Sequence, residues 1–162
     1  MNIRIATAVQ SALLAASLLG LSVYVQAETR VHDAWVRATV PGQPATGAFM
    51  HLTSSTDARL VGVASPVAKS VQIHQSSMKD DVMTMQQVDA VELPAGKTVV
   101  FDANGYHVMF MGLAAQVKEG DQVPLTLTVE DASGGTENVA VLAPARALTT
   151  ADHGGDGDHS GH

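Results

Sequence analysis

Six methionines follow Met1, and all of them fall between Met50 and Met111. Two local groups combine methionine with histidine: His74-Gln-Ser-Ser-Met78 leading into Met83-Thr-Met85, and Tyr106-His107-Val-Met109-Phe-Met111. Thioether sulfur is a soft, neutral donor that selects Cu(I) over zinc, magnesium or calcium, and imidazole adds a stronger donor that also suits copper. A mixed set of the two points to Cu(I). It also suits an oxidising compartment, because methionine is not consumed in disulfides, although sulfoxidation remains open to it. The competing explanation is packing, since methionine fills irregular cores and an alternating Met-x-Met can line the buried face of a strand. Each methionine taken alone reads as core. Two clusters that both carry histidine, in a chain with few other histidines, favour the metal.

The elements that would position these groups are strands. From Glu28 to Ala147 apolar residues alternate in short runs separated by Gly, Pro, Asn and Asp, the pattern of an all-β domain. The alternation predicts nine strands, over residues 29–38, 47–53, 60–64, 70–74, 82–91, 98–102, 107–111, 123–130 and 138–143, with turns at Pro41-Gly42, Asn104-Gly105 and Gly120-Asp121 among others. Short strands at this spacing suggest a Greek-key sandwich or barrel. Residues two apart in a strand point to the same side, so His107 and Met109 can present a nitrogen and a sulfur to one point, with Met111 following unless the strand bends. The same rule puts Gln72 and His74 opposite Val71 and Ile73, away from a core.

The chain has no cysteine. This excludes thiol redox chemistry, cysteine proteolysis, thiolate zinc sites and the Cys-ligated blue-copper centre. Residues 1–27 read as a secretory signal peptide: Arg4, an apolar stretch, and small residues at Val25 and Ala27 before Glu28, with cleavage expected after Ala27. The expected location is therefore the periplasm, with no stable membrane insertion. The remainder carries eight Lys and Arg against sixteen Asp and Glu, a net charge of −8. That balance argues against nucleic acid or anionic lipid as a partner and is compatible with attracting cations.

The spacing His74, ten residues, Met85, twenty-one residues, His107, one residue, Met109 matches the metal-binding pattern of the PCu(A)C family of periplasmic copper chaperones. The surrounding words resemble that family too: Asp33-Ala-Trp-Val-Arg37, Val71-Gln-Ile-His74, Val82-Met-Thr-Met85, Leu93-Pro-Ala-Gly96, Gly105-Tyr-His-Val-Met109 and Met111-Gly-Leu113. The likeness runs from about Val31 to Val141. It implies a cupredoxin-like β-sandwich binding one Cu(I) near its surface, with nitrogen from His74 and His107 and sulfur from Met85 and Met109. It also implies delivery to the copper centre of cytochrome c oxidase, often beside a thioredoxin-fold copper chaperone. Met83 and Met111 stay open as alternate ligands or packing.

Outside these positions, His32 reads as a solvent-facing strand residue, Met50 and His51 as structural, and Trp35 and Arg37 as fold-specific packing. Residues 28–148 make the expected copper-binding domain. Residues 149–162 have no large apolar side chain to bury and are expected to be a disordered tail, in which His153, His159 and His162 alternate with Asp152, Asp156 and Asp158. Nitrogen and carboxylate donors on a Gly-rich chain favour Cu(II) or zinc over Cu(I). A solvated acidic tail is the plainer alternative.

The expectation is a delivery protein without catalytic turnover. A copper oxidase or dismutase would need a nitrogen-rich redox site, and a serine hydrolase would need a Gly-x-Ser-x-Gly elbow that is absent. A copper storage or resistance protein would differ only in its partner.

Overall fold

A computed structural model describes residues 28–147. The expected leader over 1–27, and the tail with His153, His159 and His162, lie outside the described residues. Ten strands make up the fold: β1 (Thr29–Arg37), β2 (Ala45–Ser54), β3 (Ala58–Ala64), β4 (Ala68–Lys79), β5 (Val82–Gln87), β6 (Val91–Leu93), β7 (Thr98–Phe101), β8 (Tyr106–Leu113), β9 (Gln122–Asp131) and β10 (Thr136–Arg146). Among the described residues no helix is long and apolar enough to cross a membrane.

The strands form two sheets. In the first, β5, β4, β8, β2 and β1 run in that order, with β7 joining the end of β2 beyond its contact with β8. In the second, β10, β9, β3 and β6 follow one another. A short parallel contact, Val36 with Ala145 and Arg37 with Arg146, joins β1 to β10 and closes the sandwich along one side. Each sheet turns one apolar face inward. In β9 the alternation is clean, with Val123, Leu125, Leu127 and Val129 buried and the less buried Pro124, Thr126 and Thr128 between them. Val108 and Phe110 of β8, Met50 and Leu52 of β2, and Leu60 and Leu93 of the second sheet complete the core. Met50, 1% exposed, is a packing methionine as its surroundings in the sequence suggested.

The segment 82–91 is two strands and not one. β5 pairs with β4 in the first sheet, whereas β6 pairs with β3 in the second, and the chain crosses between sheets at Val88-Asp89-Ala90. The amide of Val88 donates to the carbonyl of Ile73 (2.9 Å), the last tie to the first sheet. Strand β4 is longer than alternation alone indicated because it continues into a hairpin with β5. Asp80 and Asp81 both have positive φ, 51° and 60°, as a two-residue type I′ turn requires, and that turn matches the twist of the flanking strands.

Phe110 is fully buried on the inner face of β8, between Met109 and Met111. Phe110→Ala should cost about 3–5 kcal/mol through lost transfer energy and the cavity left behind. Leu142→Ala, at a position 66% exposed, should stay within about 0.5 kcal/mol. Urea unfolding midpoints of the two variants measure the contrast.

Candidate metal centre

The outer face of the first sheet carries the residues singled out by chemistry. The antiparallel register of β4 and β8 sets His74 directly opposite His107 and Gln72 opposite Met109. On the far side of β8, Gly47 of β2 is opposite Met109. On the far side of β4, Met85 of β5 is opposite Ser76 and Gln87 opposite His74. Because alternate residues share a face, His74, Met85, His107 and Met109 come to one side of three adjacent strands, β5, β4 and β8.

The two imidazole centroids are 5.8 Å apart with the rings at 63°. His107 Nδ1 lies 3.2 Å from the carbonyl oxygen of Gly105. A carbonyl can only accept, so Nδ1 carries the proton and Nε2 keeps its lone pair, the arrangement by which a neighbouring acceptor orients a metal-binding imidazole. The same carbonyl accepts the Ser76 amide (2.9 Å), which ties the turn before β8 to β4. His74 Nε2 is 2.9 Å from Gln72 Oε1, which leaves Nδ1 of that ring free to bind. Burial holds the His74 pKa below its usual 6.5, and the facing His107 adds to the effect. A neutral ring is the form a metal needs.

Met85, His107 and Met109 line one open cavity of about 240 Å³ together with Gly47, Phe49 and Arg37. His107 is only 3% exposed, while Met85 is 57% exposed at the rim. Gly47 is glycine for a local reason: a Cβ there would come within 3.2 Å of the Phe49 ring, which lies over it beside Met109. Among the described residues no three His, Cys, Asp or Glu side chains gather to hold a metal. Two nitrogens and two sulfurs make a soft, neutral donor set.

Trp35 and Arg37 pack, but on this outer face and not in the core. The Arg146 guanidinium stacks on Trp35 (5.7 Å), Trp35 meets Phe49 (4.7 Å between centroids), and the Arg37 guanidinium covers Phe49 (5.3 Å). Of this row, Phe49 and Arg37 line the cavity beside Met85, His107 and Met109. Gly47 and Phe49, two apart in β2, share a face by alternation, and it is the pairing of β2 with β8 that brings them to the donors. His32 is exposed, and His51 faces Asp33 at 3.7 Å. Met83 and Met111 are exposed, at 48% and 39%, and neither is core.

Residues 29–141 match a family described as LpqE-like and provisionally named as lipoproteins. The chain belongs to the LpqE-like family. A relative from Leifsonia xyli subsp. xyli, Lxx21020, also provisionally named a lipoprotein, is 36% identical over 113 residues, covering 69% of this chain and 67% of the relative. Among solved structures, the copper-bound PCuAC domain of PmoF2 superposes with a TM-score of 0.58 at 24% identity, covering 74% of this chain and 92% of that one. The Cu(I) form of DR1885 from Deinococcus radiodurans superposes with a TM-score of 0.52 at 32% identity, covering 75% and 78%. The fold is thus the cupredoxin-like sandwich shared with PCuAC domains.

Since the fold favours neutral His74, the unfolded chain takes up this proton first as pH falls. The contribution of His74 to stability is complete above about pH 6.5 and is lost from there down through the lower native pKa. Proton NMR of the metal-free protein should show His74 titrating below about 6.5. In His107→Ala the midpoint should move up, because both burial and the facing ring are relieved.

Proposed function

We infer that this LpqE-like protein is an exported copper chaperone that carries one Cu(I) on His74, Met85, His107 and Met109 and passes it to another protein without catalytic turnover. The observation that carries this reading is the arrival of two imidazoles and two thioethers on one face, with three of the four side chains lining a single open cavity. Soft donors retain Cu(I), and the exposed Met85 leaves one side of the ion within reach of a recipient. The solved relatives described as copper-bound and Cu(I)-bound support the choice of metal.

The recipient proposed is the copper-centre subunit of cytochrome c oxidase, with a thioredoxin-fold copper chaperone as a second partner in the same delivery. The compartment proposed is the periplasm, following the export signal. A storage or resistance role would use the same donors but hold the ion.

X-ray absorption of the Cu(I)-loaded protein should report two nitrogen and two sulfur neighbours, and a spectrum of nitrogen and oxygen alone would sink the site. Loss of one ligand in His107→Ala should weaken Cu(I) binding by more than about a hundredfold, beyond what removal of an orienting group usually costs. Mixed anaerobically with an oxidase copper-centre domain, the loaded protein should lose its ion to that domain. Retention would favour storage.

The tail is proposed as a second, weaker site for Cu(II), because His153, His159, His162 and the aspartates between them supply nitrogen and oxygen donors. Electron paramagnetic resonance of full-length protein with one equivalent of Cu(II) should show tetragonal, nitrogen-rich copper that disappears on truncation after Leu148. An unchanged spectrum in the truncated chain would place Cu(II) in the domain.

A further inference from the structure

Three methionines of the β4–β5 hairpin are unusually exposed: Met78 at 67%, Met83 at 48% and Met85 at 57%. All six residues of β5 are exposed, so none of the methionines there fills a core, and the ordinary explanation for methionine fails on this ribbon. Only Met85 belongs to the four-residue site.

Register makes the other two a pair. Met78 stands directly opposite Met83, one step from the turn pair Lys79 and Val82. Directly opposed residues of an antiparallel pair have Cβ atoms about 5 Å apart, which lets two flexible thioethers close on one ion. The pairing is well held. The two-residue turn at Asp80 and Asp81 leaves no slack, and on the opposite face Ser77 and Thr84 hydroxyls meet at 3.0 Å. Met78, Ser76 and His74 share one face of β4, and Met83, Met85 and Gln87 share the matching face of β5. The sulfur pair therefore lies on the face that carries the four-residue site, with Met85 as the next residue on that face of β5. Asp80 and Asp81 at the tip supply negative charge beside it, partly offset by Lys79.

We propose that Met78 and Met83 form a second, surface-exposed thioether site for Cu(I) at the hairpin tip, from which the ion moves by ligand exchange to and from Met85. This rests on the reading of His74, Met85, His107 and Met109 as the main Cu(I) site. Two soft sulfurs without an imidazole bind Cu(I) more weakly than the mixed set, which suits a point of entry and exit.

Methyl-carbon NMR of the full chain, labelled at the methionine methyls and titrated anaerobically with Cu(I), reads each thioether separately. The first equivalent should shift Met85 and Met109. A second should shift Met78 and Met83 together, in a saturable step at least tenfold weaker. In Met78→Leu the Met83 shift should vanish, and in Met83→Leu that of Met78 should vanish, while the first step is unchanged. In the double Leu variant, release of the first equivalent to a chromophoric Cu(I) chelator should slow severalfold.

Met78 and Met83 methyls that stay still while Met85 and Met109 respond would overturn the hairpin site and leave the main site standing. A Met83 shift that persists in Met78→Leu would also overturn it, since the sulfurs would then act singly. Shifts confined to Met78 and Met83, with none at Met85 or Met109, would overturn the main site and with it the relay. All three variants lie at exposed positions, and an unchanged proton spectrum of the core residues confirms that each is folded.

Discussion

The antiparallel pairing of β4 with β8 aligns His74 with His107 and Gln72 with Met109, and the geometry of the candidate centre follows from that alignment. Side chains alternate between faces, so a slip of one residue would turn His74 into the core and bring Ile73 out to the surface. What prevents the slip is on the other side of the sheet. Ile73, Val108 and Phe110 are buried against the second sheet, and their apolar surface is lost to water if the register moves. The Gly105 carbonyl adds a polar lock by accepting from both Ser76 and His107. Core packing on one face thus sets the spacing of donors on the other.

The donors are graded in exposure. His107 is almost wholly covered, His74 and Met109 are half-buried, and Met85 stands at the rim. For a protein that carries Cu(I), as proposed, this grading separates two requirements. The covered imidazole, with its tautomer set by a backbone carbonyl, provides a fixed anchor. The exposed thioether provides a ligand that can be exchanged without unfolding the sheet around it. Burial also keeps His74 neutral, which removes competition from protons where an ordinary histidine would begin to charge.

The wall beside the centre is built where the two sheets meet. Arg37 and Arg146 are paired residues of the parallel contact between β1 and β10, and their guanidinium groups stack on Phe49 and Trp35 in turn. Stacking of this kind holds flat groups in place and desolvates them. Through Arg37 and Phe49, which line the cavity, closure of the sandwich is linked to its shape, and Arg37 gives a local positive charge to a chain whose overall charge is negative. Gly47 belongs to the same wall, since a side chain there would displace the Phe49 ring.

Strand positions, the all-β class and the outward face of His74 were legible in the sequence because alternation with period two is a local property, readable from neighbours along the chain. Softness of the donors was legible for the same reason: it depends only on residue type, and the chain has no cysteine to compete. The hairpin at Asp80 and Asp81 was not, because a type I′ turn normally announces itself through glycine and here two aspartates take positive φ. Nor was the break between β5 and β6, since a run of strand-forming residues does not say which sheet each part will join. Which strands lie side by side is settled by burial of whole faces against one another. Only that packing brings β2 to β8 and sets Phe49 and Arg37 beside the donors. Residue types and their spacing along the chain determined the chemistry on offer, and tertiary packing alone decided which of those residues share a site.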